Sequence, residues 1–409
     1  SDLSMNSKVQ YSYESAPAKA NCGPVLSCKY SPTKEYRKCY YEDVKTLYDC
    51  FQRGLSLSRD DPCYGMRPID KDGHAGDYVW LTYGQIWERV QNFGSGLIYL
   101  DLVPKRYNLR CIGVFARNCV EWSILEQACN AYNLTIVPTY ETLGADAILH
   151  ILRETEMKSI VCSSVETVKI LSMKEKTVPL EVIIQMEDIT DGDRELAANA
   201  GVKLYSMSEI EEIGKEHHAP CTPPKPDDIC TICYTSGTTG VPKGVLITHE
   251  NLVASICGCN DDDLYVDKST VYLSYLPLAH VLERLLQCSI MEVGGRVGFY
   301  QGSTVTLLDD IKALRPTVFT SVPRLLNKVH QKVVENINAR GGLTKFLFDR
   351  GMQAKSAGLA RGYNTHWFYD TFVFSKIKQS IGLDRILVTI SGSAPLSAEV
   401  LTFLRCVLG

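Results

Sequence analysis

Between residues 109 and 185 short apolar runs alternate with amphipathic helical patterns, and this rhythm constrains the fold more than any other property of the chain. Residues 109–115, 134–138, 159–162 and 180–185 read as strands, while 120–132, 145–153 and 165–174 read as helices. Apolar runs this short, separated by helices, predict mostly parallel sheets covered on both faces, hence an α/β fold. The alternation resumes at 229–234 and continues through 271–276, 280–293, 305–314, 317–320 and 322–337. It closes with a strand at 385–390 and a helix at 397–408. Upstream, 43–54 carries a helical pattern with Val44, Leu47 and Phe51 on one face, and a strand at 79–82 runs into a helix at 83–100 capped by Thr82.

A chain of 409 residues exceeds one ordinary compact domain. Residues 1–40 lack sustained periodicity and read as an extended arm. The stretch 219–228 holds four prolines in ten residues and reads as a linker between a first α/β subdomain at 41–225 and a second at 226–409. Residues 338–380 break the rhythm; they are basic and carry Phe346, Phe348, Tyr363, Trp367, Phe368 and Tyr369. They form either a surface insertion that meets a membrane or a helical pair with a buried aromatic seam, and packing is the expected outcome.

The formal net charge of −4 argues against nucleic acid as the principal partner. No stretch reaches the roughly 18 apolar residues of a membrane span. Sixteen cysteines are spread without the compact spacing of a disulfide framework, which fits buried thiols in a reducing compartment. Cys230 and Cys233 fall inside one expected strand, where residues three apart point to opposite faces and cannot share a metal. Cys257 with Cys259, and His217 with His218, offer no better ligand set.

The segment YTSGTTGVPKGV at 234–245 follows an apolar strand and packs hydroxyls, glycines and one lysine into a short loop. Ser, Thr and Gly are ordinary turn formers, yet this density together with Pro242, Lys243 and Gly244 points to phosphate. Gly237, Gly240 and Gly244 allow close backbone approach, and the hydroxyls of Thr235, Ser236, Thr238 and Thr239 join backbone N–H groups around phosphoryl oxygens. Lys243 adds a charge-assisted donor. No register satisfies the G-x-x-x-x-G-K-[ST] spacing of the common NTPases.

With this loop, LPLAHVLER at 276–284, GFYQG at 298–302, PTVF at 316–319, VPRLL at 322–326 and LTFL at 401–404 complete a pattern. Over nearly its whole length the chain resembles adenylate-forming enzymes and, among them, the long-chain fatty acid–CoA ligases of animal membranes. The resemblance implies the large N-terminal domain of that fold, with stacked sheets flanked by helices and without the C-terminal lid. It implies ATP-dependent activation of a long-chain fatty acid to acyl-AMP, then to acyl-CoA, for lipid synthesis and β-oxidation. ATP and Mg2+ are the implied cofactors and CoA the co-substrate.

By the same resemblance Thr235, Ser236, Gly237, Thr238, Thr239, Gly240, Lys243 and Gly244 hold the β- and γ-phosphates, with Lys243 countering charge on the departing pyrophosphate. Thr235 belongs to the magnesium shell. Ser391, Gly392, Ser393, Ala394 and Pro395 lie along the adenine, and His280 positions the acyl carboxylate. A tail of roughly 16 carbons supplies on the order of 11 kcal/mol on burial, and 271–276, 297–300 and 317–322 are expected to line its tunnel or to be plain core strands. The family's Tyr-Gly-x-Thr-Glu motif, ribose-binding aspartate, hinge and lid with its catalytic lysine would fall past Gly409, so residues 1–409 alone are expected to be weak or inactive as a ligase. An anchor upstream of Ser1 would place the protein on the cytosolic face of the endoplasmic reticulum or the outer mitochondrial membrane. Two other readings stay open: a ligase for another class of carboxylic acid, and a non-catalytic nucleotide- or acyl-binding product.

Overall fold

The computed structural model describes residues 12–28, 37–140, 143–173, 178–235, 241–261 and 266–409. Helix starts follow local capping chemistry. Thr46 with Asp49, Thr82 with Gln85, Thr190 with Asp193 and Ser206 with Glu209 form reciprocal capping boxes, each satisfying two orphan backbone donors. The first helix accordingly begins at Leu47 rather than at 43, because the Thr46–Asp49 pair supplies the cap.

In chain order, the arm forms a hairpin of β1 (Ser12–Ala16) and β2 (Val25–Cys28), followed by α1 (Leu47–Ser58), β3 (Pro62–Met66), β4 (Val79–Thr82) and α2 (Tyr83–Tyr99). Then come β5 (Cys111–Phe115), α3 (Val120–Ala131), β6 (Thr135–Pro138), α4 (Ala145–Thr155), β7 (Ser159–Cys162), α5 (Ser164–Met173) and β8 (Val182–Gln185). Next are α6 (Asp191–Asn199), β9 (Lys203–Ser206), α7 (Met207–Glu216), β10 (Ile229–Thr235), β11 (Lys243–Thr248) and α8 (His249–Asp261). The remainder is β12 (Val271–Ser274), α9 (Val281–Glu292), β13 (Arg296–Phe299), α10 (Leu307–Leu314), β14 (Val318–Ser321), α11 (Pro323–Arg340) and α12 (Gly342–Leu359). It ends with a helical segment made of α13 (Trp367–Tyr369), a π-turn (Asp370–Phe374) and α14 (Ser375–Ile381), then β15 (Val388–Ser391) and α15 (Ala398–Val407).

Two large sheets result, ordered β11-β10-β6-β5-β7-β8-β9 and β15-β14-β12-β13-β3-β4. Both are parallel except at one edge, where β11 runs against β10 and β4 against β3. Sheet membership does not follow the expected division at 225. Strands β3 and β4 from the first segment complete the second sheet, and β10 and β11 from the second segment complete the first. The proline-rich stretch thus carries the chain back to a sheet already begun.

Side chains alternate between two cores. Ile112, Val114 and Ile136 of the first sheet and Tyr64, Tyr272, Val297 and Val318 of the second point into a shared inter-sheet layer with α2, α3 and α9. Phe115, Val137 and Ile160 pack on the outer face of the first sheet, and Leu273 and Phe319 on that of the second. Every residue of β5, β6, β7, β8, β12 and β14 is buried, as expected of parallel strands covered on both sides. The strands in the segments expected either to line an acyl tunnel or to be plain core, β12, β13 and β14, are almost wholly buried.

The 338–380 region divides its aromatics. Phe348 and Phe374 meet edge-on, with ring centroids 6.1 Å apart, and α12 approaches the segment through Gly351, against the rings of Phe374 and Tyr369. The packing expectation holds for Phe348, but Phe346, Tyr363, Trp367 and Phe368 remain exposed. Cys230 and Cys233 share β10 as expected, and the fifteen cysteines other than Cys259 are free.

Candidate functional site

Parallel strands release their following loops at one edge, where open α/β sheets bind ligands. Here the C-terminal ends of strands from both sheets converge. A cavity of about 80 Å³ is bounded by Arg117 and Asn118 after β5, Tyr140 after β6, Leu278 and Ala279 after β12, and Tyr300 after β13. Asn118 ties the two sheets together. Its buried amide donates to Ser274 Oγ at 2.8 Å and to the Leu276 carbonyl at 2.6 Å, while its Oδ1 accepts from the Leu278 N–H at 2.8 Å. Both amide hydrogens and one lone pair of Oδ1 thereby hold the loop that leads to His280.

His280 is the exposed N-cap of α9, and its Nδ1 accepts the Leu282 backbone N–H at 3.2 Å. With Nδ1 acting as acceptor, the neutral ring carries its proton on Nε2, which is left as a donor. Three residues into the helix, buried Glu283 accepts from Tyr272 Oη at 2.6 Å. Burial drives its carboxyl up to about 7, against the opposing hydrogen bonds of Tyr272, Ser274 and Gln287. Next to it Arg284 meets Glu126 of α3 at 2.7 Å, and both are buried.

The strand flanks of the phosphate loop are described; Ser236, Gly237, Thr238, Thr239 and Gly240 lie outside the described residues. Thr235 closes β10, opposite Lys243 in the antiparallel register with β11. Strand β10 also pairs with β6 in parallel, Thr231 opposite Ile136. Helix α4 grips both flanks. Tyr234 Oη donates to Glu154 Oε2 at 2.6 Å, and His150 Nε2 lies 3.2 Å from the Pro242 carbonyl. Burial and the Glu154 carboxylate both push the Tyr234 phenol up, so it stays a donor. Thr235, Lys243 and Gly244 are exposed, and Lys243 forms no ion pair among the described residues.

Ser391 pairs with Ser321 across β14 and β15, so 391–395 leaves the same edge of the second sheet as the loop before His280. Ser391, Ser393, Ala394 and Pro395 are exposed, and Ser393 has φ 67°, a left-handed conformation. Thr235 and Lys243 in the first sheet and the 391–395 turn in the second are thus all exposed at strand ends. Arg117, Asn118 and Tyr140 were missed in the sequence; their only signal was position directly after a strand. Arg117 lies against Gly302, where an added Cβ would fall 2.1 Å from its guanidinium and φ is +89°.

The chain belongs to the family of AMP-binding enzymes, whose sequence pattern matches residues 59–409. It is 39% identical over 381 residues to long-chain-fatty-acid–CoA ligase 1 of Cavia porcellus, an alignment covering 90% of this chain and 53% of that protein. It is 38% identical over 379 residues to long-chain-fatty-acid–CoA ligase 5 of Rattus norvegicus, covering 90% and 54%. The chain spans about half the length of these curated relatives. The A-PCP didomain of carboxylic acid reductase from Segniliparus rugosus, in complex with AMP, shares the fold with a TM-score of 0.72 at 22% identity, covering 90% of this chain and 52% of that one. The adenylation domain of a carboxylate reductase from Mycobacterium chelonae does so at 0.71 and 20%, covering 89% and 56%. The architecture is the adenylate-forming α/β fold.

Proposed function

We propose that this chain supplies the nucleotide- and carboxylate-binding part of an ATP-dependent long-chain fatty acid–CoA ligase. The observation that carries the reading is Lys243, a cation with no ion pair among the described residues, opposite Thr235 on a loop whose two flanks are clamped by α4. A carboxylate becomes a competent acyl donor when it attacks the α-phosphorus of ATP and pyrophosphate leaves. The chain's part in that step is to place the reactants and to meet charge where it develops. Lys243 neutralises the departing pyrophosphate, with the loop's backbone donors around it. Thr235 offers its hydroxyl to Mg2+, which screens the phosphate charge when bound. The 391–395 turn carries the base, and His280 donates from Nε2 to the acyl carboxylate. The CoA thiol then gives up its proton and attacks the acyl carbon of the acyl-AMP, the acyl–phosphate bond breaks, and AMP leaves as the thioester forms.

The long-chain choice rests on the names of the relatives at 38–39% identity. Membrane association through an upstream anchor, on the endoplasmic reticulum or outer mitochondrial membrane, belongs to the same proposal. Exchange of labelled pyrophosphate into ATP by the full-length protein tests the reading. Exchange should depend on a long-chain fatty acid, and Lys243→Ala should lower it by about 10²–10³-fold. Exchange driven equally by aryl or short-chain acids would refute the substrate class. No effect of Lys243→Ala would refute the assignment of the loop.

A further inference from the structure

Helices α10, α11 and α12 and the segment 367–381 enclose a second cavity, of about 430 Å³, formed by residues distinct from those around the inter-sheet site. Its apolar walls include Leu308, Val333, Ile337, Leu347 and Ile377, and no carboxylate residue lines it. Lys312, Lys332, Arg340 and Lys376 line it too, and none of the four forms an ion pair among the described residues.

Phe372 belongs both to this cavity and to an exposed aromatic ridge. Its ring centroid lies 5.3 Å from that of Phe368 and 6.5 Å from that of Trp367. Trp367 is 76% exposed, and Leu343, one helical turn before the cavity residue Leu347, is 71% exposed. An exposed apolar ridge bordering unpaired cations calls for a partner that is itself both apolar and anionic. A bilayer with acidic headgroups has that composition: indole and phenyl rings settle at headgroup level while Lys and Arg reach the phosphates. No helix among the described residues is long and apolar enough to cross a membrane, so the contact is peripheral.

We propose that this face docks onto bilayers containing anionic phospholipid. One lipid phosphate sits among the four cations, with its glycerol and upper acyl carbons against the apolar wall and the Trp367–Phe372 ridge inserted beside it. The proposal is independent of the ligase reading, because it uses none of the nucleotide-site residues.

The test is co-sedimentation of the full chain with phosphatidylcholine vesicles prepared with and without phosphatidylserine, at low and high salt. Binding should require phosphatidylserine and fall steeply with salt. Lys376→Ala and Lys312→Ala should each weaken it about fivefold, and Trp367→Ala on the order of tenfold. Tryptophan fluorescence should be quenched by lipids brominated on their acyl chains, and Trp367→Tyr should abolish the quenching while retaining binding. Unfolding midpoints serve as the control, because Trp367 is largely solvent-exposed. Absence of phosphatidylserine-dependent binding overturns the proposal, as does binding indifferent to these substitutions or without quenching. Self-association through the patch in place of vesicle binding would overturn it in favour of a protein interface.

Discussion

At the residue scale, the phosphate loop is held by chemistry outside itself. Tyr234 reaches Glu154, and His150 approaches the Pro242 carbonyl, so one helix fixes both ends of the turn. A hydrogen bond to a charged acceptor contributes about 1.5–3 kcal/mol. Tyr234→Phe should therefore lower kcat/KM for ATP roughly 10–100-fold while leaving the KM of the fatty acid little changed, a split that steady-state kinetics reads directly. Thr235 and Lys243 were singled out because they lie in a contiguous motif rich in hydroxyls and glycines, and His280 by the family resemblance alone. Asn118 was not. An Asn after a strand looks like any turn residue, and its value lies in bridging to Ser274 and Leu278, more than 150 positions away.

At the element scale, close approach and buried titration govern stability. Helices α2 and α7 touch backbone to backbone: a Cβ on Gly214 would lie 1.8 Å from the Asn92 carbonyl oxygen, and one on Gly96 would lie 2.2 Å from that of Ile210. Gly214→Ala should destabilise the protein by about 1–3 kcal/mol or more through overpacking, measured by urea unfolding. Two buried groups then act in opposite directions with pH. Glu283 on α9 is raised to about 7, so its contribution is full below about 4.5 and is lost as pH rises through 7. His249, which opens α8, is lowered to about 4 by burial, partly offset by the Asp228 charge. Its contribution is present above about 6.5 and is lost as pH falls towards 4. The two offset each other in the wild-type chain. From pH 8 to 5, Glu283→Gln should lose roughly 2 kcal/mol of unfolding free energy and His249→Asn should gain a similar amount. Parallel profiles for the two variants would contradict this assignment. The α6 and β9 elements escaped the sequence reading because α6 buries only Ala197 and β9 is four residues long with one buried apolar side chain, Leu204, leaving weak apolar periodicity. The strong rhythm of β5 to β8 comes from burial on both faces.

At the scale of the whole molecule, the two sheets are joined by an inter-sheet layer whose centre is charged. Arg284 of α9 and Glu126 of α3 are both buried and in contact. Removing one partner strands the other charge, so Arg284→Met alone should cost about 3–5 kcal/mol, whereas Arg284→Met with Glu126→Leu should recover most of that loss. A double-mutant cycle on unfolding free energies checks the coupling. The α/β alternation and the positions of most strands and helices are legible in the chain alone, because apolar periodicity and capping pairs are local properties. That β3 and β4 cross into the second sheet and β10 and β11 into the first is set by folding and not by local pattern. Folding also decides that Asn118 bridges the sheets and that Trp367 stays at the surface while Phe348 is buried. These outcomes depend on which edges and faces meet after folding, and contacts between residues far apart in sequence leave no pattern in a single chain.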